Sequence, residues 1–152
     1  MLFRSIGFSR HAEPGSVTPE GIEMQKSRDD VFQKADYVVL CLPSTKETWH
    51  SIGSREFGLM KKSASFINVS RGSIIVEKDL IDALQAGEIA GAGVDVFDPE
   101  PPAKDNPLLR MENVIATPHY AAITGDALRH LALGAARSVL QALAGEKPEY
   151  TV

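Results

Sequence analysis

The chain has 152 residues, 43% of them apolar and 24% charged, a composition that fits one soluble domain with a sizeable core. Sixteen Lys and Arg against twenty Asp and Glu give a net charge of −4, with no basic block, which argues against a nucleic-acid partner. The single cysteine, Cys41, excludes an internal disulfide framework and a cysteine-cluster metal site, so no metal is expected.

In chain order, residues 3–8 (FRSIGF) read as a short strand, and residues 11–20, with two prolines and a glycine, as a loop. Ser27 is an N-cap candidate for a short helix over 27–35, with acids in its first turn. Residues 37–42 (YVVLCL) are apolar on both faces and end at Pro43. That pattern predicts a strand covered by helices on both sides, with Cys41 as a small core residue. Residues 45–60 hold one or two short helical turns, with His50 helical. A strand over 64–70 follows, then an amphipathic helix over 77–86 with Gly87 at the position just past its end. Strands are expected over 91–97 and 113–117, joined by a proline-rich, linker-like loop over 98–106. Leu128, Leu131, Ala135, Val139 and Ala142 form an apolar stripe on a long helix over 125–144, which Gly145 ends. Strands alternating with helices predict an α/β fold: a doubly wound parallel sheet with helices on both faces. No repeat and no second domain is apparent. The longest apolar runs are far too short to span a bilayer, and residues 1–5 open no apolar leader, so no membrane partner and a cytoplasmic location are expected.

Parallel α/β sheets bind ligands beyond the carboxyl ends of their strands. Ser9, Arg10 and His11 stand after the first strand, and Pro43 and Ser44 after the second. Arg71 and Gly72 follow the third, Asp95, Asp98 and Glu100 the fourth, and His119 and Tyr120 the last. An arginine, a carboxylate and a histidine thus converge on one rim. A guanidinium grips a carboxylate through two parallel hydrogen bonds. A histidine titrates near neutral pH, and a neighbouring carboxylate raises its pKa and orients its ring. Taken singly, Arg71, Glu100 and His119 would be ordinary surface or loop residues. Asp95 interrupts an apolar strand; it either caps neighbouring backbone or faces a ligand.

Three separated segments, 67–84 (INVSRGSIIVEKDLIDAL), 91–102 (GAGVDVFDPEPP) and 106–122 (NPLLRMENVIATPHYAA), resemble the D-isomer-specific 2-hydroxyacid dehydrogenases in order and spacing. The resemblance spans about residues 6–148. It implies that Arg71 anchors the substrate carboxylate, that Glu100 pairs with His119, and that His119 is the general acid/base. It implies that Asp95 holds the nicotinamide carboxamide. It also places Leu42, Pro43, Val69, Ser70, Arg71, His119, Ala121 and Ala122 along the cofactor cleft. The implied activity is hydride transfer between a nicotinamide cofactor and a 2-keto acid/D-2-hydroxy acid pair such as glyoxylate, hydroxypyruvate or 3-phosphohydroxypyruvate.

The chain departs from that family at two points. Members using NAD carry an acid after the strand at residues 3–8, to bond the adenosine ribose. Here Ser9 and Arg10 suit a 2′-phosphate, so NADP(H) is favoured over NAD(H). Second, the sequence contains no G-x-G-x-x-G, whose glycines and helix N-terminus hold the pyrophosphate. The expectation is a partial NAD(P)-binding domain over 1–152, starting at about its second strand, without the substrate domain. Such a chain would act as a homodimer or be completed by an N-terminal part. The alternatives are a non-catalytic nucleotide-binding regulatory module and a nonfunctional fragment.

Overall fold

The computed structural model describes residues 3–150. They divide into two compact units, one ending at Pro118 and the other beginning at His119.

The first unit is built on parallel strands. β1 (Ile6–Gly7) pairs with β2 (Glu23–Met24) in a two-stranded sheet. β3 (Tyr37–Leu40), β4 (Ser65–Asn68), β5 (Gly91–Val94) and β6 (Val114–Ala116) form a four-stranded sheet in that order, every pair parallel. The register sets Tyr37 beside Ser65 and Ser65 beside Gly91. The predicted first strand shrinks to two residues. β2 was not expected, because residues 21–26 carry no apolar run. It is set up by a reverse turn in which Gly21 N–H donates to the Thr18 carbonyl at 2.8 Å. Gly15 and Gly21 take φ of +82° and +85° there, a region that side chains avoid.

Three helices cover the main sheet. α1 (Arg28–Lys34) starts at Ser27, whose Oγ accepts from Asp30 N–H while Ser27 N–H donates to the Asp30 carboxylate. α2 (Ser54–Leu59) contributes Glu56, a buried carboxylate that accepts from Arg28, Arg55 and Gly53 N–H. α3 (Glu77–Gln85) buries Leu80, Ala83 and Leu84, spaced three and four apart. Gly87 follows it with φ +65°, as the C′ position requires. The core lies between these helices and the sheet. Phe57 of α2 and Phe66 of β4, both wholly buried, meet edge to face with ring centres 5.1 Å apart.

β3 corrects one expectation. Val38 and Leu40 are buried, but Tyr37 and Val39 are exposed, so one face alone is covered. Cys41 continues the open side and is exposed, not a core residue. The apolar composition of 37–42 hid this, because side chains alternate across a strand whatever their polarity. His50 is not helical either. It takes φ +47° in the turn before α2 and stacks on Trp49.

The second unit is dominated by α4 (Gly125–Leu143), capped by Thr124 Oγ1 accepting from Ala127 N–H at 3.1 Å. The helix has the predicted length, yet none of its residues is buried, and Leu131 of the apolar stripe is 70% exposed. The chain then folds back on the helix. Glu149 N–H donates to Gln141 Oε1 at 3.0 Å, and the Tyr150 ring covers Gly134. No helix among the described residues is long and apolar enough to cross a membrane.

Candidate active site

Because β3 to β6 run parallel, their carboxyl ends share one edge, and the predicted residues of the first unit follow these ends. Leu42 and Pro43 follow β3, Val69, Ser70 and Arg71 follow β4, and Asp95 follows β5. Ser9 and Arg10 follow β1. Glu47, in the turn after β3, has its carboxyl held below the usual carboxylate range by the Thr45 hydroxyl and its own backbone N–H, with a smaller pull from the Arg10 charge. Arg10 therefore lies within electrostatic reach of the segment that follows Pro43.

The turn after β4 is braced from beneath. Asn68, wholly buried at the strand's last position, accepts from Ser70 N–H at 3.1 Å and donates through Nδ2 to the Arg71 carbonyl at 3.0 Å. Ser70 Oγ donates to the Leu42 carbonyl, tying this turn to the end of β3. Arg71 is exposed, and its Nη1 donates to the Ser70 carbonyl at 2.7 Å. A second tie runs just downstream. Ser44 and Ser73 hydroxyls lie 3.0 Å apart, and His50 N–H donates to the Ser73 carbonyl at 2.9 Å. The arginine thus sits on a rigid platform with its guanidinium in the open.

Gly72 is packed against the next segment. A Cβ there would stand 2.1 Å from both the carbonyl carbon and oxygen of Phe97, so no other residue fits without a shift of backbone. That contact brings the Arg71 turn against the start of the loop that carries Glu100. Asp95 is buried at 3% exposure and accepts from Thr117 Oγ1, while its N–H donates to the Asn68 carbonyl at 3.0 Å. Burying a carboxylate without hydrogen bonds is costly, and Thr117 supplies one.

His119, Ala121 and Ala122 belong to the second unit. His119 takes φ +60°, a left-handed conformation uncommon outside glycine and concentrated at functional positions. After it, Ile123 N–H donates to the Tyr120 carbonyl at 2.9 Å and leads the chain into the α4 cap.

The sequence reading missed Asn68, Thr117 and the packing of Gly72. Asn68 was signalled by a polar residue closing an apolar strand run three places before the arginine. Gly72 carried no sign of its packing partner, which lies 25 residues downstream. Thr117 looked like a strand end until Asp95 was seen beside it. Among the described residues no group of His, Cys, Asp and Glu could hold a metal ion.

A parallel sheet with a buried carboxylate and a braced arginine after its strand ends defines a Rossmann-like α/β domain. Comparison with known proteins makes the class specific. Residues 1–121 match the D-isomer specific 2-hydroxyacid dehydrogenase NAD binding domain, and the chain belongs to that family. It is 50% identical over 117 residues to glyoxylate/hydroxypyruvate reductase B of Enterobacter sp. strain 638, covering 77% of this chain and 36% of that protein. It therefore spans about a third of the length of such curated relatives. D-lactate dehydrogenase with NAD+ from Lactobacillus jensenii is similar in structure, with a TM-score of 0.87 and 29% identity over 98% of this chain and 48% of that one. The NADPH-dependent glyoxylate/hydroxypyruvate reductase from Sinorhizobium meliloti, in complex with NADP and sulfate, gives 0.82 and 29% over 99% and 48%.

Proposed function

We propose that this chain supplies the cofactor-binding and catalytic residues of an oxidoreductase that reduces a small 2-keto acid, glyoxylate or hydroxypyruvate, to its D-2-hydroxy acid. The observation that carries the reading is the Arg71 platform: a strand-end turn braced by buried Asn68 through the Arg71 carbonyl, an exposed Arg71 side chain, and the Glu100 loop packed on the Gly72 side.

The residues suit a nicotinamide nucleotide. Asp95 offers a buried acceptor for an amide N–H at the end of β5, and Leu42 and Pro43 offer an apolar edge after β3. Ser9 and Arg10 offer a hydroxyl and a cation to a 2′-phosphate, which favours NADP(H). When bound, the reduced cofactor supplies the hydride that C2 of the keto acid takes up. Arg71 pairs with the substrate carboxylate through two N–H donors, which fixes the keto carbon and polarises its oxygen. His119 gives a proton to that oxygen as negative charge grows on it, and Glu100 pairs with the imidazole and orients it.

The test is to place this chain in the Enterobacter reductase in place of the matching 117 residues and to follow NADPH oxidation with glyoxylate and hydroxypyruvate. Turnover is expected, and Arg71→Ala should lower kcat/KM by about 100-fold or more, the scale of a lost charge-stabilising contact. An Arg71→Ala protein within about threefold of the parent would overturn the role given to Arg71.

A further inference from the structure

We infer that Glu77 is a positioning residue for the reaction: it ties down the far end of the loop that carries Glu100 and so holds that loop in register with Arg71. The inference rests on the oxidoreductase reading for its consequence and on geometry for the tie itself. Glu77 opens α3, where an acid would ordinarily answer the helix N-terminus. Its Oε1 instead accepts from Asn106 Nδ2 at 2.8 Å, 29 residues away at the end of the proline-rich loop. Asn106 is buried. Its Oδ1 accepts from Leu108 N–H at 2.9 Å, its N–H donates to the Ala103 carbonyl, and its carbonyl accepts from Leu109 N–H. Leu108 in turn is locked in the core.

The other end of the loop is fixed by Gly72 against Phe97 and Asp98. Both anchors therefore come from one short segment, 72–77, that begins immediately after Arg71. Between them the loop passes through Glu100 with three prolines, Pro99, Pro101 and Pro102, so few torsions are free. The loop is thus held beside the segment after Arg71 at two points, and Glu77 makes the one that uses a side chain. A surface acid with no such duty would not need a buried amide as its partner.

Amide exchange followed by NMR on the 152-residue chain tests the tie. In Glu77→Ala the Leu108 and Asn106 amides should exchange about tenfold faster or more, with β4 and β5 amides unchanged, the signature of local opening. Glu77→Gln keeps an acceptor oxygen and should stay within about twofold of the parent. Unchanged Leu108 exchange in Glu77→Ala, or an equal rise across the core, overturns the tie. The consequence is tested in the Enterobacter reductase carrying this chain. There Glu77→Ala should lower kcat about tenfold at unchanged KM for NADPH, and Glu77→Gln should restore it. Retention of kcat in Glu77→Ala despite a loosened loop overturns the positioning role. A parent hybrid without turnover sinks the oxidoreductase reading instead, and the exchange rates still decide whether Glu77 ties the loop.

Discussion

At the scale of single residues, two carboxylates show how burial is managed. Desolvation raises the pKa of half-buried Glu77, opposed by the Asn106 hydrogen bond and aided by the nearby Asp98 charge. A carboxyl with a raised folded pKa holds its proton more tightly in the folded state. Stability therefore falls as pH rises from the ordinary glutamate range through the raised value. Glu77→Gln removes the charge and keeps the acceptor. It should unfold at a higher temperature than the parent at pH 7, and the difference should vanish below about pH 4. Thermal melts across that range check this; a constant difference would mean that the charge is not the cause. Asp95 is wholly in the interior, with the Thr117 hydroxyl donating to it. Thr117→Val keeps the shape and removes the donor, and should cost about 1–3 kcal/mol in urea unfolding. Thr117→Ser should cost clearly less, since it retains the hydroxyl.

At the scale of elements, caps and close approaches differ in what they are worth. Ser27 satisfies a donor at the start of α1, and the Asp30 carboxylate answers it. Ser27→Ala should cost about 1 kcal/mol. Gly72 lies against backbone, which cannot move aside as a flexible side chain would. Gly72→Ala should therefore cost more, about 1–3 kcal/mol, and should also disturb the Glu100 loop. Denaturant midpoints of the two variants rank them; a smaller loss for Gly72→Ala would mean that the 72–77 segment is pliable. The same comparison explains α4. Its capping and periodicity are sufficient for a helix of the predicted length, but periodicity does not by itself bury a stripe.

At the scale of the whole molecule, cofactor choice is the property most open to test. Arg10, in a chain whose net charge is −4, follows β1, and its charge reaches Glu47 in the turn after β3. In the Enterobacter reductase carrying this chain, NADPH should be preferred to NADH, and Arg10→Asp should reverse the preference. Steady-state kcat/KM with each cofactor decides it, and a native preference for NADH would show that Arg10 does not read the 2′-phosphate. That the solved neighbours include both an NAD+ and an NADP complex is consistent with a fold that leaves this choice to a few residues.

Much of this was legible in the chain itself. The alternation of apolar runs with amphipathic segments specified parallel β3 to β6 and α1 to α4, because period and caps are local properties. Arg71, Asp95, Glu100 and His119 stood out in the sequence because each closes or follows an expected strand. Tertiary structure alone decided the rest. β2 is two residues held by a hairpin whose partners come from both sides of it. Cys41 is exposed because β3 has one covered face, which depends on what packs there and not on composition. The bracing of Arg71 by Asn68, the seat of Gly72 on Phe97 and the tie of Glu77 to Asn106 each depend on where an atom lies in space. Two of these three contacts join residues at least 25 apart in sequence, beyond the reach of any local pattern.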